Sequence, residues 1–201
     1  MLNATGISFH YPQTTQRIFD DFSISIESGE RVGLLAPSGF GKTTLCKVLS
    51  GYEKPETGTI TLDDKLLNDY KGYCPVQMIW QHPEQVINPR LRMRTVLDEG
   101  NQIDEHIWRG VGIETDWMSR YPTELSGGEL QRFCIARALG EGTRFILADE
   151  ISTMLDLITQ SQIWNYLLEE TKHRGIGLLA VSHVPALLER VCTRIVKLQK
   201  S

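Results

Sequence analysis

The sequence predicts an α/β domain organised on a mainly parallel sheet. Three observations lead there. Short apolar strand runs alternate with stretches of helical spacing, one strand runs straight into a glycine-rich loop that opens a helix, and another ends in two adjacent carboxylates. The 201 residues suit one such domain with room for a small insertion, enough to bury a core without disulfides.

Phe22-Ser23-Ile24-Ser25-Ile26 alternates apolar and polar residues, the period of a half-buried strand, and Glu27-Ser28-Gly29-Glu30 follows as a turn. Arg31-Val32-Gly33-Leu34-Leu35 is an apolar strand that feeds the glycine-rich loop, and a helix is expected to begin near Gly41 and run past Leu45, Val48 and Leu49. Further strands are expected over 58–62 and 76–80. Residues 88–139 carry few β-branched runs and read as a helical insertion. Strand character returns at 145–148, 177–182 and 194–198, with Ile163, Trp164, Leu167 and Leu168 at helical spacing between them.

Composition narrows the function. Apolar residues make up 41% and charged residues 23%, ordinary for a globular chain. The formal charge of −4 and the lack of a basic cluster argue against a nucleic-acid partner. Cys46, Cys74, Cys134 and Cys192 lie far apart with no C-x-x-C pair, so they read as small buried apolar residues in a reducing compartment. The N-terminus has no signal-peptide pattern, and the longest apolar run, 177–181, is far short of the ~20 residues a membrane helix needs. Any membrane role is therefore expected to come through another polypeptide.

Ala36-Pro37-Ser38-Gly39-Phe40-Gly41-Lys42-Thr43-Thr44 stands between an apolar strand and a helix, the setting of a P-loop. Backbone N–H groups of such a loop cradle phosphate oxygens, and the helix start adds partial positive charge. Ser38, Gly39, Gly41 and Thr44 are expected to line the phosphates, Lys42 to reach the β- and γ-phosphates, and Thr43 to ligate Mg²⁺. Ala36 replaces the usual first glycine, which is acceptable where φ stays negative. The strand 145–148 then ends in Asp149 and Glu150, where carboxylates face the ligand crevice of an α/β sheet. Asp149 is expected at Mg²⁺ and Glu150 beside the attacking water. Leu125-Ser126-Gly127-Gly128-Glu129 forms a second anion-binding helix start, with Ser126 as its cap.

That third motif resembles the signature of the ABC (ATP-binding cassette) ATPases, Leu-Ser-Gly-Gly-Gln, with Glu129 in the fifth place. The resemblance covers nearly the whole chain. It implies a P-loop NTPase core with a mainly parallel sheet, an N-terminal antiparallel β subdomain and an inserted helical subdomain. As a single domain, residues 1–87 and 140–201 would form the nucleotide-binding core and 88–139 the helical part carrying the signature. It further implies that Tyr11 stacks on adenine and that Gln81 senses Mg²⁺ and water. Ser152-Thr153-Met154-Leu155-Asp156 looks like the D-loop, with Asp156 near nucleotide, and His183 like the switch histidine for the γ-phosphate. ATP and Mg²⁺ would be the ligands. Transmembrane permease subunits and a second cassette, identical or paralogous, would be the partners. The chain would sit on the cytoplasmic face of the membrane through its permease, with Ser126, Gly127 and Gly128 facing ATP on the second cassette.

Within the family, the segments 81–90 and 121–124 are similar to importers of the oligopeptide, nickel and metallophore group. The 45 positions from Gln81 to Ser126 point to a short helical subdomain, and Val184 follows His183 where Asp is common. A P-loop kinase would leave 126–129 unexplained. A chromosome-maintenance ATPase needs a coiled coil that the 107 positions from Lys42 to Asp149 cannot hold, and a translation-type ABC protein needs two cassettes. A non-hydrolysing module is argued against by Lys42, Asp149, Glu150 and His183 together. Replacing Lys42 by Ala removes a charge-assisted phosphate contact, so ATP affinity by titration calorimetry is expected to fall ~10- to 100-fold. Undiminished affinity would count against the P-loop.

Overall fold

The computed structural model describes residues 1–14, 16–37, 39–153 and 155–198. Ser38 of the expected phosphate loop and Met154 of the expected D-loop lie outside the described residues. Within them the chain runs β1 (Leu2–Phe9), β2 (Phe19–Ile26), β3 (Arg31–Leu35), α1 (Lys42–Leu49), β4 (Thr57–Leu62), β5 (Lys65–Leu66) and β6 (Val76–Ile79). Three helices follow, α2 (Met93–Asp98), α3 (Glu105–Gly110) and α4 (Gly127–Ala138), with short 3₁₀ turns between them. The chain then returns through β7 (Phe145–Asp149), α5 (Leu157–Arg174), β8 (Gly177–Ser182), α6 (Pro185–Val191) and β9 (Arg194–Lys197).

Two sheets result. One is five-stranded and parallel in every pair, ordered β6-β7-β8-β3-β9; the other is four-stranded and antiparallel, ordered β2-β1-β4-β5. The expected parallel core, antiparallel N-terminal sheet and helical middle are all present. Strands β7 and β8 are buried from end to end, which is why they read as unbroken apolar runs. Their side chains alternate between two cores. Ile146, Ala148, Leu178 and Ala180 face a layer with Met93, Val96, Trp108, Phe133 and Leu167. Phe145, Leu147, Leu179 and Val181 face Leu45, Val48 and the antiparallel sheet. This period-2 division fixes which strand ends can meet at one edge. Two cysteines depart from expectation: Cys46 and Cys134 are buried, but Cys74 and Cys192 are half-buried, and all four are free thiols. Among the described residues no helix is long and apolar enough to cross a membrane.

Strand β1 shows no clean alternation in the sequence because it carries a bulge. The pairing with β4 steps from Thr5↔Thr59 to Ser8↔Thr57, three residues against two. Gly58 sits opposite with φ +82°, and a Cβ there would come within 2.5 Å of the backbone of Gly6. Gly58→Ala is therefore expected to cost about 2–3 kcal/mol. The thermal midpoint should drop by about 5–10 °C. An unchanged melting curve would show that the bulge relaxes freely.

Candidate functional site

Four neighbouring parallel strands deliver the site at their C-terminal ends. The loop 36–41 follows β3, Gln81 follows β6, Asp149 and Glu150 end β7, and His183 follows β8. A crevice at this edge of an open α/β sheet is where ligands bind. A cleft of about 940 Å³ opens there, with Gly39, Gly41, Lys42, Thr43, Thr44, Gln81 and Glu150 in its wall.

Helix α1 begins at Lys42 from Gly41, which stands in the left-handed region at φ +80° and supplies no side-chain cap. The first-turn N–H groups are thus left for a ligand. A Cβ on Gly41 would meet Ile18 Cγ2 at 2.1 Å, so this position tolerates neither a side chain's conformation nor its volume. Ala36 is not among the residues with positive φ, which meets the condition set on its replacement of glycine. Lys42 is only 7% exposed; its Nζ donates to the carbonyls of Ala36 (3.0 Å) and Pro37 (3.1 Å). The same Nζ lies 3.2 Å from Glu150 Oε1.

Glu150 is the centre of the cluster. His183 Nδ1 lies 3.2 Å from its Oε1, and Gln81 Nε2 donates to its Oε2 at 3.3 Å. Its backbone takes φ +47°, a costly value for a non-glycine residue, held by an N–H bond to Val181 O. That bend ends β7 and turns the carboxylate into the crevice. Burial pushes the Glu150 carboxyl upward, but bonds from His183 and Lys42 and their charges outweigh it and leave the acid below its ordinary value. Asp149 behaves oppositely. It is 1% exposed, and burial raises its pKa, aided by the Glu150 charge and only partly offset by the bond from Thr43.

Thr43 Oγ1 donates to Asp149 Oδ2 at 2.5 Å, while buried Asp149 Oδ1 has no hydrogen-bond partner. An orphaned carboxylate oxygen beside a threonine hydroxyl at a phosphate loop fits a hard, oxygen-seeking cation such as Mg²⁺.

The signature residues lie apart from this cluster. Ser126 caps α4: its Oγ accepts from the Glu129 N–H at 3.3 Å, and Glu129 Oε2 accepts from the Ser126 N–H at 2.6 Å. Glu129 therefore does as a capping-box partner what Gln would do, and its charge suits the helix start. Gly127 and Gly128 begin the helix bare, with Leu155 3.1 Å from where a Gly128 Cβ would stand. Asp156 is exposed and caps α5, accepting from Ile158 and Thr159 N–H at 3.0 Å each. None of Ser126, Gly127, Gly128 and Asp156 lines the cleft of its own chain. Tyr11 is not in the wall either; its hydroxyl meets Thr44 Oγ1 at 3.2 Å and its ring stands edge-on to Phe9. Gln131 is a residue that motif reading passed over. It is 1% exposed, and its Nε2 donates to Trp80 O at 3.0 Å, which ties α4 to the residue before Gln81. A polar residue in the buried stripe of an amphipathic helix was the available signal.

The family model described as "ABC transporter" matches residues 19–153. This chain belongs to the ABC transporter family. It is a cassette with that family's ATPase fold and motifs. It is 34% identical to the nickel import ATP-binding protein NikE of Rhodospirillum rubrum over 91% of its own length and 73% of that protein's. It is 31% identical to the putative oligopeptide transport ATP-binding protein YkfD of Bacillus subtilis, over 97% and 66%. In fold it is similar to the dimeric ATP-binding cassette MJ0796 bound to ADP and Pi, with a TM-score of 0.85 at 23% identity, covering 99% and 94% of the two chains.

The opposite shifts of the paired carboxylates give a test of the cassette. A carboxyl raised by burial costs stability above its unfolded pKa, and that cost is relieved as pH falls through the raised folded value. Asp149→Asn should therefore raise the metal-free thermal midpoint at pH 7 by ~2–4 °C, about 1 kcal/mol. If Asp149 holds the cation, the stabilisation expected from adding Mg²⁺ with ATP to wild type should be lost in the same variant. A lower midpoint without metal would show that the Asp149 charge is well compensated.

Proposed function

We propose that this cassette hydrolyses ATP to drive an importer whose membrane-spanning subunits are separate polypeptides, in the group that handles nickel and oligopeptides. The observation that carries the ATPase chemistry is the convergence of Lys42, Gln81 and His183 on the Glu150 carboxylate at the mouth of the phosphate loop. The names of the relatives and the segments 81–90 and 121–124 support the importer group.

ATP would enter with its phosphates on the loop 36–41 and the bare start of α1. The γ-phosphate takes over Lys42 from Glu150, because two anions compete for one ammonium. Glu150, released from Lys42, accepts a proton from the water that attacks the γ-phosphorus, while the bond from that phosphorus to ADP breaks. Before ATP binds, the ties from His183 and Lys42 hold its pKa down and keep it ionised; losing Lys42 removes part of that lowering and makes it a stronger proton acceptor. His183 steadies the γ-phosphate, and Gln81 holds the water and reports the state of the site. Thr43, Asp149 and Gln81 would hold Mg²⁺, which supplies charge neutralisation when bound.

The site is proposed to be shared. Ser126, Gly127, Gly128 and Asp156 lie outside the cleft of their own chain, so they would act on ATP held by a second cassette, identical or paralogous. Residues 1–87 and 140–201 would then form the nucleotide-binding core and 88–139 the part that carries the signature. Closing and reopening of the pair would move the permease from the cytoplasmic face of the membrane.

Glu150→Gln should keep ATP binding and lower turnover by ~10²- to 10⁴-fold, the range for a general base. Steady-state activity near wild type would remove Glu150 from that role. Ser126→Arg should spare ATP binding to the monomer but abolish hydrolysis and ATP-dependent pairing, measured as rate against protein concentration with any paralogous cassette present. A rate per subunit that does not change with concentration, with an active Ser126→Arg monomer, would refute the shared site.

A further inference from the structure

Glu150 takes a left-handed backbone at φ +47°, and such a conformation persists only where its surroundings over-determine it. The strand side is held by the Glu150 N–H bond to Val181 O at 3.1 Å. The exit side is a turn, in which Thr153 donates to Glu150 O through both its N–H and its Oγ1, at 3.2 Å each. Between them Ile151 is 2% exposed and packs into the core with Phe133 and Leu167, and Ser152 is 4% exposed.

Ser152 is gripped by α5. Gln160 Nε2 donates to Ser152 Oγ at 2.7 Å and to Ser152 O at 3.2 Å, and Trp164 Nε1 donates to the same Oγ at 3.2 Å. Gln160 and Trp164 stand at i and i+4 on α5 and so share one face of the helix. A serine oxygen has two lone pairs, and these two donors occupy both. The far end of the segment is fixed to the same helix. Asp156 Oδ1 accepts from Ile158 and Thr159 N–H, and the Gln160 N–H donates to Asp156 O at 2.8 Å. Neither Gln160 nor Trp164 lines the nucleotide cleft.

We infer that Gln160 and Trp164 are positioning residues for Glu150: by pinning Ser152 they close the turn 150–153 and keep the Glu150 carboxylate aimed into the crevice. This rests on the reading of Glu150 as the proton acceptor. The side-chain ties of Glu150 cannot keep that aim through turnover, because the γ-phosphate takes Lys42 away when ATP binds. The bonds on Ser152 involve no nucleotide and stay in place. A reacting group displaced by ~1 Å loses as much as ~10²-fold in rate, so the clamp acts on the chemical step and not on binding.

The test is steady-state ATPase activity of the full chain, with any paralogous cassette present. Rates are normalised to the sites that bind a non-hydrolysable ATP analogue by titration calorimetry, which removes losses through unfolding. Gln160→Met keeps the length of the side chain and loses the donor. It is expected to lower kcat ~10- to 100-fold, with KM and analogue affinity within about 2-fold of wild type. Trp164→Phe keeps a ring in the core and should fold if Gln160→Met does not. It is expected to lower kcat ~3- to 10-fold with the same split. In a Glu150→Gln background either substitution should add less than about 2-fold, because the two changes remove one shared contribution. The proposal is overturned if kcat per site stays at the wild-type value in either folded variant, or if KM rises in its place. It is equally overturned if the losses persist in full on Glu150→Gln. If Glu150→Gln alone turns over like wild type, Glu150 is not the proton acceptor and the underlying reading fails, a result distinct from the others.

Discussion

The Glu150 carboxylate accepts from Lys42, Gln81 and His183, and these four residues come from the ends of different strands or the helix that follows one. A single acid can gather them only if its own backbone leaves the strand direction, which is what φ +47° accomplishes. The cost of that conformation is offset by burial of β7 on both faces and by the N–H bond to Val181. Everything else in the parallel sheet serves this convergence. The register of β7 against β8 sets His183 beside Glu150, and the pairing of β6 with β7 sets Gln81 on the other side.

The neighbouring acids show how environment divides like groups. Asp149 and Glu150 are adjacent, yet burial raises one while the ties from His183 and Lys42 hold the other down. The bend at the end of β7 is the cause. Asp149 still points with the strand toward Thr43 and stays dry, whereas Glu150 turns toward the cations. The result is one carboxylate with an orphaned oxygen suited to a cation and one held ionised at the mouth of the phosphate loop.

The buried Gln131 links this centre to the signature helix. Its side-chain bond to the Trp80 carbonyl ties α4 to the residue between β6 and Gln81. The helix start itself is held by its own capping box and needs no support from the cleft.

Several features were legible in the residues alone, for local physical reasons. The apolar runs of β7 and β8 announce buried parallel strands, and Ser126 with Glu129 announces a helix start. The loop at 36–44 announces a phosphate cradle because glycine, lysine and threonine act there through their own backbone and side chains. Strand β1 was not legible, since its bulge at Gly6 breaks the alternation that marks a strand. Nor was the position of Tyr11 on Thr44, the close approach of Ile18 to Gly41, or the tie from Gln131 to Trp80. Each of these is a contact between segments far apart in the chain, with no spacing rule to record it. The sequence determined which chemistry the strand ends carry; the order and register of the strands decided which ends meet, because only packing of the two sheet faces specifies that.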